Sequence, residues 1–417
     1  MCIGLFKKEK FNIVPNAEDA DIIVVNTCGF IEPAKQEAIN TILEMAEFKK
    51  TGRCKYLIAM GCLVQRYQKD LEKALPEVDL FLSIDDYKNI WLKICELLGR
   101  EPEVTSTNTL EYEDRIISTG NKTAYLKIAE GCSNNCTYCA IPYIRGKYIS
   151  RPFEEIIQEA EKLKKAGIEE VIVIAQDTTK YGLDLYGEAR LPELLKAVAG
   201  VGFHWVRFLY AYPESITDEL IEVVKNTKNI CHYFDIPIQH YANSVLKRMN
   251  RKSNSEQIDK LIEKIRENIP DSILRTSLIV GFPGETEEDF LDLYEFVNRA
   301  KFEKLGVFPY SKEDGTPASR LKEQVHYQTK VKRRKMVMAL EQKISQIKME
   351  EKLGNTYEVL IDEVTEDGKF YIGRSYMDIP NEDGVVYIPK TKEDLVGKFV
   401  KCKMIEVQGY DFVGEIR

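Results

Sequence analysis

From residue 124 to residue 311 the sequence alternates six short apolar runs with five amphipathic stretches. The apolar runs AYLKIAE, EVIVIAQ, WVRFLYA, YFDIPIQ, LRTSLIVGF and KLGVFPYS have the length and branched-residue content of buried strands. Between them, FEEIIQEAEKLKKAG, LPELLKAVAG, TDELIEVVKN, SEQIDKLIEKIRENI and TEEDFLDLYEFVNRA place apolar residues at i, i+3 and i+4, the stripe of a surface helix. Thr217 and Thr286 stand where N-caps are wanted, and Gly167 where the first helix should stop. Six β/α units in series predict an α/β fold built on a partial (β/α)6 barrel of the TIM type. In such barrels the chemistry gathers at the carboxyl ends of the strands.

The flanks read differently. Residues 1–120 alternate FNIV, DIIVVNTC, KQEAINTILEMAEF, KYLIAMGC and DLFLS, the signature of a second, smaller α/β layer with a parallel sheet. RIISTGNKTA reads as the linker out of it. Residues 121–350 end in a long helix, KVKRRKMVMALEQKISQIKMEEK, whose basic run at 330–335 reads as a solvated face. Residues 351–417 hold five short strands separated by DG and GK turns, a small all-β barrel of OB-like size. The net charge of −8 argues against a chain that binds nucleic acid through its overall field. Residues 351–417 carry nine basic and fourteen acidic side chains, a poor match to phosphates and a good one to a basic protein. No apolar run approaches membrane-spanning length, and MCIGLFKKEKF lacks the apolar core of a signal peptide, so a cytoplasmic, monomeric protein is expected.

Ten cysteines are too few for a disulfide scaffold in a chain of 417 residues. Three of them, Cys132, Cys136 and Cys139, fall in the segment EGCSNNCTYCAIPYIRG directly after the first barrel strand. Thiolates are the soft ligands of iron–sulfur clusters, and a C-x3-C-x2-C loop can wrap one cluster while leaving one iron open. Zinc is the alternative, but it wants a fourth ligand, and none of the four histidines is near in sequence.

This loop, with Tyr138 before its last cysteine and six β/α units behind it, resembles the radical S-adenosylmethionine (SAM) superfamily. The resemblance implies a 4Fe-4S cluster on Cys132, Cys136 and Cys139, with SAM bound to the open iron and cleaved to a 5′-deoxyadenosyl radical. It further implies SAM contacts from Tyr138, Ile141 and Tyr143, from Gln176 and Asp177 in AQDTT, and from Ile279, Gly281, Gly284 and Glu285 in SLIVGFPGETEEDF. The segments VNTCGFIEPAKQEA and MGCLVQRY are similar to the auxiliary-cluster domain of the methylthiotransferases, which makes Cys28 and Cys62 ligands of a second 4Fe-4S cluster. The third ligand of that family lies in an SLGCxKN-like segment upstream of where this sequence starts. Cys2 falls in the expected helix and is a poor substitute, so either the true start lies upstream or the chain has lost a strand and one auxiliary ligand. The terminal β unit resembles a TRAM domain.

Two branches of the methylthiotransferases are similar: one modifies tRNA adenosine, the other an aspartate of ribosomal protein S-twelve. FDIPIQHYANSVLKRMNR and WVRFLYAYPESITDEL are similar to the second branch, which implies substrate contacts from Arg207, Gln239 and His240. That branch also implies sulfur delivered from the auxiliary cluster, a methyl group from a second SAM, a flavodoxin- or ferredoxin-type electron donor, and docking on the ribosomal protein or small subunit through the acidic TRAM domain. An enzyme that cleaves SAM without inserting sulfur, and a non-catalytic iron–sulfur docking protein, are the other readings.

Overall fold

The computed structural model describes residues 2–101, 115–117 and 122–417. The chain divides into two compact units. Unit 1 comprises Met1–Ser118, Gly131–Lys147 and Ser311–Ser319, and unit 2 the remainder.

In unit 1, β1 (Ile22–Thr27), β2 (Tyr56–Gly61) and β3 (Leu80–Leu82) form a parallel sheet in the order β1-β2-β3. Pro33 sits in the first turn of the Glu32–Thr51 helix, and Ala38, Ile42 and Ala46 bury one stripe of it on the sheet. The Ile90–Leu98 helix ends at Gly99 in the left-handed conformation, where a residue without Cβ costs least. FNIV is not a strand. Residues 11–14 are irregular, with Ile13 and Val14 46% and 40% exposed, because no neighbouring strand pairs with them. Cys2 lies in the Cys2–Lys8 helix, as expected. The linker expected at 115–124 falls partly outside the described residues.

In unit 2 the six expected strands are present as β4 (Thr123–Lys127), β7 (Glu170–Ile174), β8 (Trp205–Phe208), β9 (Tyr233–Asp235), β10 (Ile273–Val280) and β11 (Lys304–Pro309). A short antiparallel pair, β5 (Ala129–Glu130) with β6 (Ile149–Ser150), stands beside them. The strands form two parallel triplets, β4-β7-β8 and β9-β10-β11, bridged where Val206 N–H donates to Asn229 O and Ala211 N–H to Asp235 O. The helices between them start and stop as the sequence implies. Thr217 Oγ1 accepts the Leu220 N–H, Thr286 and Asp289 form a reciprocal capping box, and Gly167 takes φ of 86°.

The C-terminal barrel closes in the order β12-β13-β14-β16-β15, from β12 (Thr356–Val364), β13 (Phe370–Arg374), β14 (Val386–Pro389), β15 (Phe399–Gln408) and β16 (Asp411–Ile416). Its core runs on into the barrel of β4–β11, because Val359, Tyr371 and Met377 pack in one apolar cluster with Ile172, Trp205 and Tyr233. Charge joins them as well. Glu170, at the start of β7, takes Arg207 Nε at 2.6 Å and Arg374 Nη2 at 2.8 Å, while Arg207 donates to the Ser375 and Tyr376 carbonyls. Lys304 pairs with Asp378 at 2.8 Å, and Arg275 with Glu382. The segment Arg374–Asp383 therefore closes the amino end of the parallel strands, leaving their carboxyl ends for chemistry.

Candidate functional site

Unit 1 holds five of the chemistry-bearing cysteines. In the β1–β2 register Thr27 lies opposite Gly61, so Cys28 and Cys62 are the next residues out of two neighbouring parallel strands. Cys62 opens the Cys62–Ala74 helix and is half-buried, while Cys28 is exposed. The strand ends approach so closely that a Cβ on Gly29 would stand 2.6 Å from Leu63 Cα. Only glycine lets the Cys28 loop lie against the start of the helix.

The Cys132–Cys139 loop is closed at its base by the Cys132 N–H donating to Gly146 O at 3.1 Å. Gly131, at φ of 73°, makes that closure possible, since a Cβ there would meet Lys147 O at 2.2 Å. Cys132 and Cys136 are buried, and Cys139 is half-buried. Burial pushes the Cys139 thiol up to about 12. The Ile141 N–H opposes this, and the charges of Cys136 and Cys132 add to it. Three thiolates in a dry loop repel one another unless a cationic core lies among them. Among the described residues no three Cys, His, Asp or Glu side chains converge tightly enough to hold one metal ion. Three thiolates are the donor set that iron–sulfur clusters take, so the residues present fit such a cluster.

Two features of this unit carry no sequence signal. Arg145, closing the Ile141–Arg145 helix after the loop, donates to Cys62 Sγ at 3.3 Å. The segment Ser311–Ser319 lies against both cysteine sites, through Glu313 and Ala318. Of the expected SAM contacts here, Tyr138 and Ile141 are half-buried and Tyr143 is 62% exposed.

In unit 2 the strand β10 alternates cleanly. Leu274, Thr276, Leu278 and Val280 are buried, while Arg275, Ser277 and Ile279 share the other, more open face. Ile279 lies beside Phe308 of β11, which is 52% exposed, so the carboxyl end presents an apolar pair suited to a flat base. Phe308 was not expected from the sequence; the alternation within KLGVFPYS puts it on the face of Lys304 and Gly306. Gln176 buries a side-chain carbonyl oxygen that has no hydrogen-bond partner among the described residues, an acceptor suited to an ammonium group. Tyr210 and Gln239, just beyond β8 and β9, take left-handed φ values of 59° and 74°, conformations that non-glycine residues hold mostly where surroundings impose them.

Other expected contacts are turned inward. Asp177 is fully buried and accepts the Thr179 hydroxyl at 2.5 Å. Glu285 is buried, binding Arg333 at 2.7 Å and the Phe282 N–H at 3.0 Å. His240, fully buried, accepts the Ala242 N–H at Nδ1 and turns Nε2 toward Glu285 at 3.6 Å. It braces the turn after β10. Arg207 likewise serves Glu170 and the C-terminal barrel at the amino end of the strands, away from the expected substrate side. Gly281 and Gly284 have φ of 70° and 80°, but what crowds them is protein: a Cβ would strike Lys330 at one and Arg248 at the other. The basic run 330–335 is divided: Lys332, Arg334 and Lys335 are exposed, as a solvated face would have them, and the other two basic residues are not. Lys330 and Arg333 are buried, donating to Tyr310 O and Glu285, and Arg334 donates to Val307 O.

No helix among the described residues is long and apolar enough to cross a membrane. Three family models match: the radical SAM superfamily over residues 126–297, the uncharacterized protein family UPF0004 over 1–83, and the TRAM domain over 353–416. The ribosomal protein uS12 methylthiotransferase RimO of Alkaliphilus oremlandii is 62% identical over 416 residues, covering 99% of this chain and 94% of that protein. Its namesake in Clostridioides difficile is 51% identical with the same coverage. The solved radical SAM methyltransferase TsrM from Kitasatospora setae shares the fold, with a TM-score of 0.53 at 12% identity over 72% of this chain and 64% of its own. With three cysteines in a closed loop, two more at adjoining strand ends and relatives alike along nearly their whole length, the chain belongs to the RimO family of radical SAM methylthiotransferases.

Proposed function

We propose that the chain methylthiolates the β-carbon of an aspartate in ribosomal protein uS12, in the cytoplasm, using two molecules of SAM. The observation that carries this reading is the placement of Cys28 and Cys62 side by side in the same unit as the three-cysteine loop. Cys132, Cys136 and Cys139 would hold one 4Fe-4S cluster, and Cys28 and Cys62 would supply two ligands of a second one. When bound, the clusters supply the electron for SAM cleavage and the site of sulfur delivery. The chain's own groups bind and orient. Ile279 and Phe308 offer an apolar face for adenine, Gln176 Oε1 an acceptor for the SAM ammonium, and Tyr138, Ile141 and Tyr143 further apolar contact.

The C-terminal barrel supports docking on a basic protein. Asp378 and Glu382 are paired with Lys304 and Arg275, but Glu363, Glu366, Asp367, Glu393 and Asp394 remain exposed. A flavodoxin or ferredoxin would supply the electron. The deciding experiment incubates anaerobically reconstituted protein with SAM and reductant, offering purified uS12, small subunits and tRNA in parallel. A methylthio mass gain on the uS12 aspartate is expected; gain on tRNA alone moves the chain to the other branch, and 5′-deoxyadenosine with no gain on any acceptor leaves only SAM cleavage.

Arg145 gives a finer test. Hydrogen bonds to cluster sulfurs favour the reduced, more negative state and so raise the potential. An Arg145→Met variant is expected to lower the midpoint potential of the second cluster while that of the Cys132–Cys139 cluster stays put. An EPR-monitored redox titration reads both, and equal potentials in variant and parent would deny Arg145 this role.

A further inference from the structure

The chain leaves β11 through the segment SKEDGTPAS, whose composition reads as an ordinary surface loop. Its carboxylate is nevertheless among the most buried in the protein. Glu313 is 2% exposed and gathers four donors: the Glu32 N–H at 2.9 Å and the Ser311 hydroxyl at 2.6 Å on Oε1, Arg66 at 3.1 Å and Lys35 at 3.2 Å on Oε2. Two of these donors govern the cysteines. Glu32 opens the helix that follows the Cys28 loop. Arg66, one turn along the helix that Cys62 opens, also donates to Gly29 O at 2.7 Å and to Asp314 O at 2.8 Å. A continuous chain of charge-assisted bonds thus runs from the residue after Cys28 through Arg66 to Glu313.

The far end of the same segment reaches the other cysteine site. The Ala318 N–H donates to Thr137 O at 2.9 Å, inside the Cys136–Cys139 interval. Between the two ends the backbone is locked by its own side chains, with Thr316 Oγ1 donating to Glu313 O and Ser319 Oγ to Thr316 O, both at 2.7 Å. Thr316 and Ala318 are fully buried. All these contacts lie within unit 1.

We propose that Ser311–Ser319 is a strap that fixes the two cysteine sites against each other, with Glu313 as the residue that positions Cys28 beside Cys62. A salt bridge alone would be weak support, since buried ion pairs often contribute little net stability. What singles this one out is its wiring: among the described residues, every donor to the Glu313 carboxylate except Ser311 belongs to the segments that follow Cys28 or Cys62. The cluster part of the test rests on the reading that Cys28 and Cys62 hold a second cluster; the strap itself does not.

Two variants test it, Glu313→Gln, which keeps the shape and removes the charge, and the milder Ser311→Ala. Hydrogen exchange on the cluster-free full chain reads the strap directly. The Glu32 amide and its neighbours are expected to exchange about tenfold faster or more in Glu313→Gln, and by a smaller factor in Ser311→Ala. Placed in a chain with Cys132, Cys136 and Cys139 changed to Ala, so that only the second cluster remains, Glu313→Gln is expected to alter its EPR g-values. It should also lose iron to a chelator about 10- to 100-fold more readily. Unchanged exchange in both variants overturns the strap, and unchanged g-values and iron retention overturn Glu313 as a positioning residue. If the parent takes up no second cluster, the proposed function is what fails, and the exchange data still decide the strap.

Discussion

Alanine at Cys132, Cys136 or Cys139 takes 5′-deoxyadenosine formation from SAM to background and removes about four irons per chain. The effect is all-or-none because the three thiolates sit in one closed loop and each would hold a different iron. A carboxylate or imidazole is a poor stand-in for a soft thiolate on such a cluster. Iron and sulfide analysis with anaerobic assay of SAM cleavage checks it. The remaining thiols give the contrast. Cys54, Cys95, Cys231 and Cys402 are buried in apolar cores, and burial pushes Cys231 up to about 12 and Cys402 up to about 11. Alanine at any of these four leaves iron content and SAM cleavage unchanged, at a packing cost of about 1 kcal/mol each. Alanine at Cys28 or Cys62 separates the two halves of the chemistry: SAM cleavage survives and methylthiolation of uS12 does not. A Cys136→Ala chain that still produced 5′-deoxyadenosine would end the assignment of that loop.

Much of this was legible in the sequence because the signals were local. Six strands and their helices follow from hydrophobic period, the Thr286 cap from its partner three residues on, and the cysteine loop from spacing alone. FNIV failed because a strand is made by its neighbour, and residues 11–14 have none. The expected site residues are buried or open in a patterned way. Position at a strand end is readable, but the face a side chain takes is not once the chain has left the strand. His240 and Glu285 therefore looked open and are buried against each other. Arg207 is the same lesson at the opposite end of the strands: its partners, Ser375 and Tyr376, lie more than 160 residues away. The basic run at 330–335 is solvated at Lys332, Arg334 and Lys335, but nothing in the sequence reveals that Tyr310 O and Glu285 wait for Lys330 and Arg333. Phe308 could have been found, since the alternation of β11 assigns its face. Glu313 could not, because its partners are scattered over two other segments of the chain.

Replacing Glu170 by Gln destabilises unit 2 by about 3–5 kcal/mol, the cost of stranding buried cations without their counter-charge. Glu170, Arg207 and Arg374 are all buried, so solvent screens little of this interaction. Burial alone would raise the Glu170 pKa, but Arg374 and Arg207 outweigh it and hold the carboxyl down at about 2. Against an ordinary value near 4.5 that depression corresponds to about 3 kcal/mol, in line with the mutational range. The sign follows. A depressed carboxylate contributes fully above its unfolded pKa and loses that contribution as pH falls through the folded value, so the parent should lose stability between about pH 4.5 and pH 2. Glu170→Gln should start lower at neutral pH and show a shallower acid slope over that window. Urea midpoints across the pH series measure both. Arg374→Met should cost a similar amount, and the double variant less than the sum, because each single change strands the other's charge. The network also joins the C-terminal barrel to the amino ends of the parallel strands. Its loss should therefore loosen β13 and Ser375–Asp378 together with the starts of β4 and β7, which hydrogen exchange can follow residue by residue. If Glu170→Gln unfolds within about 0.5 kcal/mol of the parent at neutral pH, the trio is not what holds the two barrels together, and the shared apolar core of Tyr371, Trp205 and Tyr233 must do so alone.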